Sequence, residues 1–157
     1  MYTVGDKIAY PMHGAGIIEG IEEKKILGEN HRYYLLRVPY ADMQIMLPVD
    51  GSDNIGVRLI ISDAELSEIL EVLKQESTPM PSNWNRRNRE NMERLKTGDL
   101  KEVSAVIRNL VRIDREKRLS AGERKLLTNA KNILISEIML VKDITFAEAD
   151  ELICSMI

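Results

Sequence analysis

The sequence predicts an α+β protein in which a small antiparallel β-sheet or barrel precedes an all-α bundle of about five helices. Apolar and polar residues alternate in the first third of the chain, between short turns, as is typical of strands. The rest of the chain repeats helix-capping patterns and carries apolar residues at helical spacing. A loop of small polar residues separates the two parts. We therefore expect a sheet domain over 1–55, a linker over 56–61 and a helical domain over 62–157.

Four strands are predicted in the sheet domain, each rich in Ile, Val, Leu or Tyr. They cover residues 7–10, 16–25, 32–38 and 43–47. Because the strands are short and the turns between them tight, we expect a strongly bent meander. Its edge strand would offer unpaired backbone groups to a strand of a partner protein.

Helix starts are predicted where a capping residue precedes a Glu by three positions, because each side chain then satisfies a free amide of the other residue. Four pairs have this spacing: Ser62 with Glu65, Asp99 with Glu102, Ser120 with Glu123, and Thr145 with Glu148. A fifth helix is expected to begin near Trp84 and to end at Gly98, where glycine can adopt the left-handed cap conformation. The broad apolar arc of residues 121–141 predicts that this helix lies at the centre of the bundle.

Composition excludes several classes of protein. The chain has 157 residues and a 44% hydrophobic content, which is enough for a packed core. Cys154 is the only cysteine, so there is no internal disulfide, and this fits a reducing cytoplasm. No apolar run is long enough to span a membrane, and the first residues do not form a secretory signal. We expect a cytoplasmic location and no membrane association.

Patterns typical of enzymes are missing from the chain. It has no phosphate loop, its glycines do not match a dinucleotide-binding fingerprint, and His13 and His31 lack the neighbours that metal ligation or acid–base catalysis needs. The sequence therefore predicts no catalytic residues, no metal site and no cofactor. We expect a protein that is not an enzyme.

The net charge of −3 is unevenly distributed along the chain. Residues 1–76 carry 7 Lys/Arg against 13 Asp/Glu, residues 77–133 carry 14 against 7, and residues 134–157 carry 1 against 5. The middle segment therefore has a net charge of +7 within an acidic protein. Such a segment indicates a local surface that binds anions.

The basic segment also contains Trp84, the only tryptophan. Its polar neighbours suit an anionic partner, since an indole can stack on a base or wedge at a base step while guanidinium groups hold phosphates. A second basic cluster lies in the turn between the two longest predicted helices. The residues predicted to bind nucleic acid are Asn83, Trp84, Arg86, Arg87, Lys117, Arg124 and Lys125.

A purely structural interpretation of the same residues stays open at this stage. Trp84 could be a hydrophobic staple at the start of its own helix. The charges of that helix could pair with each other at i,i+4 spacing without binding anything. The pairs with this spacing are Arg86 with Glu90, Arg89 with Glu93, and Glu90 with Arg94.

Short motifs along nearly the whole chain resemble the CarD family of bacterial transcription regulators, also called CarD-like or CdnL. They are Val4-Gly5-Asp6, Tyr10-Pro11-x-His13-Gly14-Ala15, Gly28-Glu29, Tyr33-Tyr34-Leu35, Pro79-x-x-Ser82-Asn83-Trp84-x-Arg86-Arg87, Gly98-Asp99 and Leu119-Ser120-Ala121-Gly122-Glu123. The N-terminal part is also similar to the polymerase-interacting module of the transcription-repair coupling factor.

The resemblance implies a Tudor-like N-terminal module that binds the β subunit of RNA polymerase, and a helical domain that contacts promoter DNA at the upstream edge of the transcription bubble. Such a protein stabilises the open complex, with Trp84 as the minor-groove wedge, and is expected to act as a monomer. The implied polymerase contacts are Lys24, Tyr33, Ile45 and Met46.

Two points about these contacts stay open. Relatives carry arginine at the position of Met46, so this contact is either apolar or absent here, and Ile45 or Tyr33 could instead belong to the core. The alternative function is a protein-interaction adaptor of the transcription machinery that does not contact DNA, with Trp84 as an interface anchor.

Overall fold

The computed structural model describes all residues, 1–157, and confirms the predicted α+β order of a sheet followed by five helices. The strands are β1 (Lys7–Tyr10), β2 (Gly14–Ile26), β3 (Glu29–Val38), β4 (Met43–Pro48) and β5 (Arg58–Leu59). The helices are α1 (Asp63–Lys74), α2 (Trp84–Lys96), α3 (Leu100–Glu116), α4 (Ala121–Lys142) and α5 (Phe146–Met156). None of the helices has the length and apolar character needed to cross a membrane.

The sheet has the strand order β4-β3-β2-β1-β5, and every neighbouring pair is antiparallel. The β2–β3 ladder shifts register between Ile18 and Gly20, which indicates a bulge that bends the sheet. One face of the sheet forms a small core of its own. The buried residues of this core are Ile8, Ile18, Tyr34, Leu36, Leu47 and Val57.

The segment predicted as a linker contains the fifth strand. In β5, Arg58 pairs with Ala9 and Leu59 pairs with Ile8 of β1, and Val57 just before it is buried in the sheet core. A strand of two residues is too short to produce a recognisable alternation of polar and apolar residues. The sheet therefore includes residues 58–59, within the segment expected to be a linker.

The helices share one continuous core of 18 buried residues. Helix α4 supplies the largest part of this core, as its broad apolar arc predicts, and Leu134 at its middle is fully buried. Helix α2 ends as expected, because Gly98 has a φ of 72°, the left-handed conformation that glycine adopts without strain.

Two of the four predicted capping boxes form completely, at Ser62 and at Thr145. At Ser120 only one half forms: its side chain accepts the amide of Glu123. At Asp99 the side chain accepts the amide of Lys101 instead of that of the third residue. The boxes are incomplete because Glu123 and Glu102 form ion pairs with arginines of α2.

Helix α4 also joins the two domains. Glu137, which is 2% exposed, accepts hydrogen bonds at 2.8 and 3.1 Å from Arg58 of β5 and one at 2.9 Å from the amide of Ile61. One residue earlier, the Ser136 hydroxyl accepts the amide of Ala15 at 2.8 Å. These buried polar contacts fix the sheet against α4, because breaking any of them would leave a desolvated group without a partner.

Candidate nucleic-acid interface

Helix α2 begins at Trp84 because Asn83 is its N-cap. The Asn83 Oδ1 atom accepts the backbone amide of Arg86 at 3.1 Å, which satisfies one of the free donors of the first turn. This acceptor is used within the helix, so the role of the Asn83 side chain is to set where Trp84 lies.

The Trp84 side chain is exposed to solvent. It is 52% exposed and belongs to none of the buried clusters. Trp84 shares a helical stripe with Asn88 and Asn91; Asn91 is buried, and Asn88 contacts the first turn of α4 at Gly122. Trp84 lies one turn before that contact, beyond the start of α4. It occupies the first helical position instead of the position before the cap, so it is not a hydrophobic staple.

Arg87 and Glu123 form a bidentate ion pair between α2 and the first turn of α4. The Arg87 Nε and Nη2 atoms donate to the Glu123 carboxylate at 2.6 and 2.8 Å, and the two residues are 9% and 1% exposed. Hydrogen bonding to Glu123 raises the pKa of the Arg87 guanidinium, and the same bonds lower the pKa of the Glu123 carboxyl. One edge of the guanidinium is used by a buried carboxylate, so Arg87 can offer a phosphate only the edge that carries Nη1.

The ion pair brings the two predicted basic clusters together at one end of the bundle. Lys117, Arg124 and Lys125 are exposed, and no carboxylate lies within ion-pair distance of any of them. The turn that carries Lys117 is held by Leu119, which is 3% exposed within the helical core. These three cations therefore remain available to an anionic partner.

The charges of α2 pair less completely than their spacing predicts. Arg86 pairs with Glu90 at 3.3 Å, on the exposed surface. The other predicted partners are engaged elsewhere, because Glu93 pairs with Lys96 and Arg94 pairs with Glu102. Two exposed arginines without a carboxylate partner, Arg89 and Arg118, were not among the predicted binding residues. The sequence places Arg118 in the second basic cluster, beside Lys117, and Arg89 in the basic stretch that follows Trp84.

The predicted polymerase contacts separate onto two faces of the sheet. Lys24 pairs with His31, Leu35 pairs with Met46, and alternation along β3 puts Tyr33 on the same face as both pairs. Ile45 pairs with Leu36 and packs against the sheet core on the opposite face. The structure therefore brings Lys24, Tyr33 and Met46 to one surface and separates Ile45 from them, because a change of one position along a strand reverses the face.

Comparisons with known proteins match both the sheet and the helical part of the chain. Residues 2–61 match the family model described as CarD-like/TRCF RID domain, and residues 68–154 match the model described as CarD, C-terminal domain. The Bacillus subtilis (strain 168) protein named "Putative transcription factor YdeB" is 39% identical over 145 residues, which cover 92% of this chain and 95% of that relative. The chain therefore belongs to the CarD family of transcription factors.

Proposed function

We propose that this protein binds the β subunit of RNA polymerase through its N-terminal sheet and stabilises the promoter open complex through its helical domain. Trp84 acts as a minor-groove wedge at the upstream edge of the transcription bubble. The observation that carries this proposal is the exposed indole, one turn before Arg87, whose ion pair with Glu123 joins α2 to the start of α4 and its unpaired cations.

The chemistry of this end of the bundle fits a partly melted DNA ligand. Inserting a ring between base pairs costs a few kcal/mol of unstacking, so an indole favours a junction that the polymerase has already opened over intact duplex. The unpaired Lys117, Arg124 and Lys125 can offset part of this cost by holding backbone phosphates, as can Arg118. Arg86 contributes less, because its guanidinium is shared with Glu90.

The sheet supplies a separate surface for the polymerase. On the face opposite the sheet core, the half-buried Met46 lies opposite Leu35 and near Tyr33, so this part of the surface is apolar. Lys24 adds a cation toward the hairpin end of the same face, without a carboxylate partner. We expect the contact with the polymerase to combine apolar packing with this single charge.

A fork-junction titration tests the proposal against the adaptor alternative. Polymerase bound to a labelled upstream fork-junction DNA is titrated with salt, in the presence and absence of the protein. The proposed function requires tighter retention of the fork when the protein is present, and cross-linking of the fork to α2 or the α3–α4 turn. Binding to polymerase without any effect on the fork would instead support an adaptor that does not contact DNA.

A further inference from the structure

A second recessed surface lies next to Trp84, between the segment that connects α1 to α2 and helix α3. It is an open groove of about 280 Å³. Ser77 and Ser82 line it on the connecting segment, and Asn109 and Arg112 line it on α3. The groove is separate from the exposed indole and from the unpaired cations of the α3–α4 turn.

Arg87 lines this groove as well as forming its ion pair with Glu123. Its Nε and Nη2 atoms bind Glu123, whereas Nη1 has no hydrogen-bond partner and Arg87, unlike Glu123, lines the groove. A guanidinium that is only 9% exposed therefore presents one free donor to a concave, polar surface. This donor remains accessible from the groove, because it is not among the buried side-chain atoms that lack a hydrogen-bond partner.

The positive charge beside the groove is only partly balanced. Arg108 is 1% exposed and has no carboxylate partner; it donates to the carbonyl of Val72 and to the side chains of Asn109 and Thr78. Arg112 likewise donates to the carbonyls of Leu73 and Gln75 and to the Ser77 hydroxyl.

These carbonyls end helix α1, so its dipole offsets part of the two charges but not all of them. Burial, and after it the positive charges of Arg112 and Arg94, lower the pKa of Arg108.

One acidic group faces the same groove. Glu116, at the end of α3, lines it and makes no ion pair. Its carboxylate opposes an anion but does not neutralise the three guanidinium groups of Arg87, Arg108 and Arg112, since Glu123 engages only the first. The arrangement of one free guanidinium donor, an arginine and hydroxyl groups matches a tetrahedral oxyanion that has several acceptors.

We propose that this groove is a binding site for a phosphate group, held by Arg87 Nη1, Arg112 and the hydroxyl groups of Ser77 and Ser82. The phosphate comes either from a nucleic-acid strand that passes Trp84 or from a small phosphorylated molecule. Because Ser82 directly precedes the Asn83 cap, an occupied groove would also restrain the segment that carries the indole.

Titration of the full-length protein with inorganic phosphate and pyrophosphate tests this site without polymerase. Backbone amide signals of Ser77, Thr78, Met80 and Ser82 and the Arg87 Nε–H signal are followed by NMR at constant ionic strength, with chloride as the reference. We expect saturable shifts confined to this groove, about tenfold weaker binding in Arg112→Gln, and tighter binding in Glu116→Gln. Glu151→Gln, which removes an exposed carboxylate of α5 outside the groove, serves as the control and should bind as the unmodified protein does.

The Glu116→Gln variant makes the test independent of folding, because it leaves every hydrogen bond of the connecting segment in place. Shifts no larger than those caused by chloride would overturn the proposal. So would saturable binding that neither Arg112→Gln nor Glu116→Gln changes.

A forked duplex titrated in the same way identifies the source of the phosphate. Shifts at residues 77–82 that Arg112→Gln abolishes assign it to the strand, whereas shifts with pyrophosphate alone assign it to a free ligand. The outcome does not depend on the wedge role of Trp84, because no arm of the experiment measures open complexes.

Discussion

Arg87 and Glu123 lie 36 positions apart in the sequence, yet two hydrogen bonds of 2.6 and 2.8 Å join their side chains. Arg87 is in the first turn of α2, three residues after Trp84, and Glu123 is in the first turn of α4, directly before Arg124. The pair thus joins the helix that carries the indole to the helix that carries Arg124 and Lys125. Both side chains are almost fully buried, so the pair holds the two helices together from within.

Removing one partner of this pair should destabilise the protein strongly. Glu123→Ala leaves a buried guanidinium uncompensated, at an expected cost of about 3 to 5 kcal/mol in the free energy of unfolding. The double variant Arg87→Met/Glu123→Leu should recover most of that loss, because replacing both charges with apolar groups removes the desolvation cost. Urea denaturation of the single and double variants measures the coupling. A loss in the double variant equal to the sum of the losses in the two single variants would mean that the pair is not coupled.

Acid should weaken the protein partly through the same carboxylate. Hydrogen bonds from Arg87 hold the pKa of Glu123 in the folded protein below its ordinary value, whereas the unfolded chain keeps the ordinary value. As the pH falls, the unfolded state takes up its proton first, so this contribution to stability is complete above the ordinary pKa and disappears as the pH falls through the lowered one. Denaturation from neutral into acidic pH should show a smaller acid-dependent loss in Glu123→Gln than in the unmodified protein, with Glu151→Gln unchanged.

Replacing the indole should separate function from stability. Because Trp84 is 52% exposed, Trp84→Ala should change the free energy of unfolding by less than about 1 kcal/mol. If the indole stacks at the fork, open complexes should dissociate about five to a hundred times faster, which corresponds to the loss of one base–aromatic contact. Open-complex lifetime and polymerase affinity are measured together. An unchanged lifetime with intact polymerase binding would contradict the wedge.

The unpaired cations of α4 should account for part of the salt dependence of binding. Arg124→Gln and Lys125→Gln should each reduce the slope of log affinity against log salt by about 1 if each residue holds one phosphate. Fork-junction affinity measured over a range of salt concentrations gives the slope. Arg32→Gln is the matched control, since Arg32 is an exposed cation of the sheet without an ion-pair partner. If Arg32→Gln reduced the slope of log affinity against log salt by the same amount, the salt dependence would reflect only the total charge of the protein.

The neighbouring residues Ile45 and Met46 of β4 should respond differently to substitution by Asp. Ile45→Asp places a charge against the sheet core and should cost at least about 2 kcal/mol of unfolding free energy. Met46 is half-buried on the opposite face, outside the buried clusters, so Met46→Asp should cost less stability while weakening binding to the polymerase β subunit. Denaturation and a binding assay with that subunit distinguish the two. Full polymerase binding by a folded Met46→Asp variant would contradict the proposed surface.

Local patterns were sufficient to predict most of the fold. The capping residues Ser62, Ser120 and Thr145 begin their helices as predicted, because an N-cap depends on atoms within one turn. Strand β5 was missed because its two residues are defined only by pairing with β1, about fifty positions earlier. The division between Ile45 and Met46 follows from alternation, but which of them faces the core depends on the register with β3.

The sequence by itself determined the order of the two domains, the five helices and the concentration of positive charge around Trp84, because composition, capping and periodicity are local properties. Only the tertiary structure decided which of those charges are free. The spacing of Ser120 and Glu123 predicted a capping box, and the basic stretch around Arg87 predicted a surface cation. The packing of α2 against α4 instead buries Glu123 and Arg87 and pairs them. An ion pair between distant positions depends on how helices pack, and a local sequence pattern does not predict that packing.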